Sequence, residues 1–124
     1  MADEITMTGS VAYSDSNDVA VDLTPAAFLA SVATKAVSLG TQSIATTETT
    51  LNLGGLAALG VVMLVNRDPT NYVDVKTAAS GIKIARLKPG GGFAIMDWSA
   101  GGVTAPVAIA DTAACVIEKL LCSL

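Results

Sequence analysis

The apolar residues of this chain recur at every second position, in short runs separated by Gly, Pro, Asn and Asp. That period describes half-buried strands, because successive side chains of a strand point to opposite faces. Near the start, Ile5, Met7, Val11 and Tyr13 share one parity, and Thr6, Thr8 and Ser10 share the other. Asp15-Ser16-Asn17-Asp18 follows as a turn, since short polar side chains bond their own backbone and tolerate left-handed geometry. Val19, Val21 and Leu23 then alternate back, so residues 4–23 read as a hairpin. The stretch from Thr24 to Val37 fits two periods. Thr24-Pro25 could open a helix with Phe28, Leu29 and Val32 on one side, whereas Phe28, Ala30 and Val32 alternate as a strand. The strand is favoured.

Threonine is dense between Val37 and Leu53, and its branched Cβ suits a pleated surface, so two short strands broken near Thr47-Glu48 are expected. Gly54-Gly55 marks a bend. Val61 to Val65 is apolar at both parities, as in a central strand covered on both sides. Arg67-Asp68-Pro69-Thr70 reads as a turn, with Tyr72, Val73 and Val75 as the partner strand. Ile82, Ile84 and Leu87 come next. Lys88-Pro89-Gly90 has the type II pattern, and Phe93 and Ile95 return from it to end at Asp97-Trp98. After a loop over residues 99–104, the stretch from Ala113 to Leu124 again fits a helix or a strand, and a closing strand is favoured. The expected architecture is all-β: one domain over residues 1–124, a β-sandwich or jelly-roll-like barrel of about eight to ten short strands.

Composition then says what such a fold must do with its surface. Hydrophobic residues make up 52% of the chain and charged residues 15%, against about 25% in ordinary soluble domains. Too few charges remain to cover a monomer. A membrane does not account for the surplus, because the longest apolar run, Gly54 to Val65, falls short of the roughly 20 residues of a spanning helix. The acidic start, Met1-Ala2-Asp3-Glu4, lacks the basic and apolar regions of a secretory signal. Contacts between subunits are the better account, and uncovered strands would otherwise pair edge to edge. Net charge is -4, and Lys35, Arg67, Lys76, Lys83, Arg86, Lys88 and Lys119 are scattered, so nucleic acid is not an expected partner. Lys83, Arg86 and Lys88 fit a solvated strand edge.

Chemistry is sparse. The chain has no histidine, which removes the usual general base, zinc ligand and triad member. Cys115 and Cys122 stand seven apart, on opposite faces of a strand or two turns apart along a helix, so both are expected as reduced packing thiols and Cys115 as no nucleophile. Asp15, Asn17 and Asp18 imitate a calcium loop without its central glycine and terminal glutamate. Gly90-Gly91-Gly92 lacks the Lys-Ser/Thr of a phosphate cradle and reads as a flexible turn. Glu48 and Asp97 could serve as a carboxylate pair only if the fold brought them within about 5–10 Å. Trp98 is assigned to an interface pocket rather than to sugar stacking. No catalytic, cofactor-binding or metal-binding residue is expected, and no enzyme.

Two stretches carry a resemblance. Leu39 to Val75 reads LGTQSIATTETTLNLGGLAALGVVMLVNRDPTNYVDV, and Leu87 to Leu121 reads LKPGGGFAIMDWSAGGVTAPVAIADTAACVIEKLL. Together they resemble a group of small tailed-bacteriophage virion structural proteins with "LNLG", "NRD.TNYV", "LKPG" and "AIADTAA" segments. The triple glycine and residues 99–104 depart from that pattern. The resemblance implies a capsid decoration (cement) protein with a jelly-roll-like fold, made in the host bacterial cytoplasm and placed on the capsid surface. It implies the major capsid protein and a homotrimer as partners, with no cofactor. A tail, neck or fibre component and a carbohydrate-binding sandwich using Tyr13, Tyr72 or Trp98 are the alternatives.

Overall fold

Every element among the described residues is a β-strand, as the period-two pattern requires. The computed structural model describes residues 3–7, 11–14, 20–23, 28–32, 37–56, 59–98 and 105–123. Eight strands form the body: β5 (Val37–Ile44), β6 (Thr49–Thr50), β7 (Val61–Asn66), β8 (Val73–Lys76), β9 (Lys83–Leu87), β10 (Phe93–Asp97), β11 (Val107–Ala110) and β12 (Cys115–Cys122). They make two four-stranded antiparallel sheets, ordered β5-β12-β7-β10 and β6-β11-β8-β9. One buried cluster draws on both, including Ile44, Leu64, Ile117 and Leu121 from the first sheet and Val73, Val75, Leu87 and Ala108 from the second. This is a β-sandwich of eight strands, and with the four shorter strands ahead of it the described residues hold twelve, where eight to ten were expected over the whole chain.

The connectivity follows one rule. β5 pairs with β12, β6 with β11 and β8 with β9, while β7 pairs with β10, so partners nest around the β8–β9 turn. Two further ladders, β12 with β7 and β11 with β8, wind this nested ribbon into a jelly roll. The winding corrects two sequence expectations. The strand after Arg67-Thr70 does not pair with Val61–Val65, and Phe93–Ile95 does not fold back onto Ile82–Leu87. Both tight turns carry the chain from one sheet to the other.

Those two corners are bonded together. Asn66 is fully buried, and its Nδ2 donates to the carbonyls of Asn71 (2.8 Å) and Leu87 (3.1 Å), while its Oδ1 accepts from the Asp68 N–H (3.0 Å). Asp68 Oδ1 accepts from the N–H groups of Thr70 and Asn71, which hold its carboxyl below the usual range. Gly90 has φ +79°, as a type II turn requires. The three glycines are held rather than free. The N–H groups of Gly90, Gly91 and Gly92 donate to the carbonyls of Asp68, Asn66 and Lys88.

Ahead of the body lie two shorter antiparallel ladders: β1 (Asp3–Met7) with β4 (Phe28–Val32), and β2 (Val11–Ser14) with β3 (Ala20–Leu23). The expected hairpin is thus longer by one strand pair, and the first strand meets Phe28–Val32 rather than Val19–Leu23. Between Met7·Phe28 and Val11·Leu23 the later side carries one extra residue. The favoured strand over 24–37 is realised as β4, and the favoured closing strand as β12. The Asp15–Asp18 turn and the loop over 99–104 lie outside the described residues.

Candidate functional site: the outer face of the first sheet

Register assigns each residue of the first sheet to a face. Ile117 and Leu121 on β12 belong to the core cluster, so Val116, Glu118, Leu120 and Cys122 point the other way. Across the four strands this outer face carries the row Leu39–Leu120–Met63–Ile95, then Thr41–Glu118–Val65–Phe93, then Val37–Cys122–Val61–Asp97. The middle of the sheet is therefore apolar on the side away from the core. Val61 and Cys122 have no exposure, so the last row is covered at its centre. The other rows are open: Leu39 is 78% exposed and Phe93 66%, while Met63 and Val65 are half-buried. Val61–Val65 is thus a central strand, as expected, but its outer side is only partly covered.

Seven large hydrophobic side chains are exposed among the described residues, and five of them (Val37, Leu39, Phe93, Ile95 and Val116) share this face. Between β5, β12 and β7 the face dips into a hollow of about 160 Å³ lined by Leu39, Met63, Val65, Leu120 and Glu118. Arg67 pairs with Glu118 on this face at 3.0 Å and holds the Glu118 carboxyl below its usual range.

The outer face of the second sheet is chemically opposite. Asp74 accepts from Arg86 Nε at 2.7 Å and Nη2 at 3.0 Å, with Lys83 Nζ at 2.7 Å, and these cations hold its carboxyl low. The Arg86 guanidinium also lies 3.7 Å from the Tyr72 ring centroid, in cation–π contact. Lys76 pairs with Glu48, which also accepts from the Ser80 N–H. Lys83 and Arg86 stand on the edge strand β9, the solvated edge the sequence suggested. The ion pairs gather on this side, with Ile82 and Ile84 exposed at its β9 edge, and most of the exposed apolar side chains gather on the other.

The residues weighed for chemistry disperse. Glu48 is occupied by Lys76 and Ser80, while Asp97 ends β10 in the other sheet, opposite Val61. Cys115 packs in the core cluster and Cys122 on the opposite side of β12, both as free thiols whose pKa is pushed up by burial. Trp98 belongs to the core cluster, so it fills the sandwich rather than an interface pocket, and Tyr72 lies under Arg86. Among the described residues no three His, Cys, Asp or Glu side chains gather as a metal would need, and no helix is long and apolar enough to cross a membrane.

Sequence reasoning missed the cluster of Leu39, Phe93 and Ile95. A signal did exist in β5, where Val37 and Leu39 have one parity and Ile44 the other. The inner side of β5 instead carries Ser38, Gly40 and Gln42, which meet a polar seam. Gln42 bonds the Thr50 carbonyl and the Asn52 N–H at 2.9 Å each, and Lys119 Nζ donates to the Asn52 carbonyl. With that side satisfied by polar groups, Leu39 faces out.

Comparison with known proteins gives no match, whether to a family model, a curated protein or a solved structure.

Proposed function

We propose that this chain is a structural subunit of a bacteriophage virion, and within that class a capsid decoration protein. It binds the outer shell and stabilises contacts between major capsid subunits. The observation that carries the reading is the one-sided surface: five exposed large hydrophobic side chains on the outer face of one sheet, against ion pairs on the other. A face of that kind marks an interaction site. The placement on a phage head draws on the resemblance of residues 39–75 and 87–121, which between them span nearly all of the sandwich and leave out β1 to β4. A threefold self-association is the arrangement the resemblance suggests.

The test is quantitative mass spectrometry of purified particles from a phage that encodes the chain. A copy number close to that of the shell subunit supports decoration. A small fixed number per particle moves the chain to the tail, neck or fibre, and absence from particles removes the virion reading. The carbohydrate-binding alternative is weakened because Trp98 is buried and Tyr72 is engaged by Arg86.

A further inference from the structure

We infer that the shell subunit binds at the free edge of β5, where an extended segment of it adds a fifth strand to the β5-β12-β7-β10 sheet. The inference rests on the capsid reading above and names the form and chemistry of the partner segment.

Three observations select such a segment. The first is which backbone groups are open. The Arg67 N–H donates to the Val116 carbonyl and the Gly60 N–H to the Cys122 carbonyl, so the even-numbered residues of β12 bond toward β7 and the odd-numbered ones toward β5. Cys115, Ile117, Lys119 and Leu121 stand opposite Ile44, Gln42, Gly40 and Ser38, which therefore spend their N–H and C=O groups on β12. Those of Val37, Leu39, Thr41 and Ser43 point away from the sheet, and among the described residues they have no backbone partner. All four residues are exposed. The second observation is that this edge lacks what keeps the other edges unpaired. β6 has two residues, β9 carries Lys83, Arg86 and a bulge, and β10 runs for five residues to Asp97. β5 runs for eight, with neither charge nor proline. An open edge of that kind is a template for another strand.

The third is area. Four strands about 4.8 Å apart and some six residues long, at about 3.3 Å each, give an outer face of roughly 400 Å². That is about half of the roughly 800 Å² per partner in a standard stable interface. A flat surface laid on this face alone falls short, whereas a segment along β5 adds main-chain hydrogen bonds beside it. The edge also sets the chemistry of the segment, because residues of an added strand alternate between the two sides. On the outer side they meet Val37, Leu39 and Thr41, and Leu39 is the wall of the hollow it forms with Met63, Val65, Glu118, Lys119 and Leu120. On the other side they meet Ser38, Gly40 and Gln42, and a Cβ on Gly40 has nothing within 4 Å. β5 offers no charge to pair with, and Glu118 is taken by Arg67. The segment is therefore extended and uncharged, with large apolar side chains alternating with small or polar ones. A second copy pairing β5 with β5 would sit about a two-fold axis, which builds no threefold set.

Co-sedimentation of the full chain with shells from a phage deleted for it tests this. Thr41→Pro removes one edge N–H and leaves the bonds to β12 in place, the setting in which a strand accepts proline. It should keep the circular dichroism spectrum and weaken shell binding by about tenfold or more, through a lost hydrogen bond and a blocked approach. Thr41→Val should bind as wild type does. Hydrogen exchange of the wild-type chain gives a second reading that needs no variant. The amides of Leu39, Thr41 and Ser43 should exchange fast in the free chain and slowly on the shell. Equal binding by Thr41→Pro and Thr41→Val, or unchanged exchange at those amides on the shell, would overturn the inference and leave the capsid reading standing. A self-associated species that Thr41→Pro abolishes while shell binding persists would give the edge to a second copy and overturn it too. Wild-type chain that does not sediment with the shells removes the capsid reading itself, and this inference with it.

Discussion

Asn66 should carry a disproportionate share of the stability of this sandwich. The residue is fully buried at the end of β7, where both sheet-switching corners meet, and its amide makes three hydrogen bonds. Asn66→Ala leaves the carbonyls of Asn71 and Leu87 and the N–H of Asp68 without that partner. At about 1 kcal/mol for each bond, and more where a buried group stays unsatisfied, the loss is about 3 kcal/mol. A domain of this size has a total of about 5–15 kcal/mol. With an unfolding entropy of about 2.1 cal/mol/K per residue over 124 residues, the melting temperature falls by about 11 °C. Asn66→Leu restores volume but not the bonds, so it should be nearly as unstable as the alanine variant. Asn66→Asp keeps the acceptor for Asp68 and turns a carboxylate toward two carbonyl oxygens, so it should be the worst of the three at neutral pH. Urea and thermal unfolding followed by circular dichroism measure all three. A loss below about 1 kcal/mol for alanine, or rescue by leucine, would refute the hydrogen-bond account and leave packing as the cause.

Three further outcomes are expected. Burial holds the Lys119 ammonium below the ordinary lysine value, so the unfolded chain binds that proton more tightly and stability gains with rising pH between the two values; subtracting urea-unfolding curves of Lys119→Met from wild type at about pH 8 and about pH 10 should show the gain, and a pH-independent difference would contradict it. Gly92→Ala should cost about 2 kcal/mol, because a Cβ there meets Lys88 backbone atoms at 2.3 and 2.5 Å, whereas Gly40→Ala, with nothing within 4 Å, should stabilise β5 by about 0.5 kcal/mol in the same thermal melt. Neither Cys115 nor Cys122 should react with a thiol reagent in the folded chain and both should react in denaturant, so a fast native-state thiol would show that one is accessible.

Strand identity was legible because period-two alternation is a local property: β5, β6, β7 and β12 lie where Val37–Leu53, Val61–Val65 and Ala113–Leu124 suggested. Pairing was not, because a turn does not announce whether it joins neighbours in one sheet or crosses to the next. Arg67-Asp68-Pro69-Thr70 and Lys88-Pro89-Gly90 have hairpin chemistry, yet Asn66 and the glycine N–H groups bind the two turns to each other at a corner. Facing was partly legible. Ile84 stands three residues before Leu87 and next to Ala85, both of which face the core, so alternation turns it outward, and Ile82, which precedes the register shift between Val75 and Lys76, is exposed as well. The apolar outer face was legible only as a surplus of apolar residues; that the surplus collects around Leu39, Phe93 and Ile95 depends on which parity of β5 meets the Gln42–Asn52 seam.

The nested winding also sets the order in which this molecule can be made. β12 lies between β5 and β7, so the first sheet has no continuous hydrogen-bonded centre until the segment Cys115–Cys122 has left the ribosome. Until then β5 has no ladder partner in the body, and its eight residues, Val-Ser-Leu-Gly-Thr-Gln-Ser-Ile, contain neither charge nor proline to discourage a neighbouring nascent chain. Closure joins residues from 71 (Ile44 with Cys115) to 85 (Val37 with Cys122) positions apart, the kind of pairing that makes folding slow. The interval between synthesis of β5 and arrival of β12 is therefore when this chain is most open to aggregation, and expression that is slower and cooler should raise the folded yield.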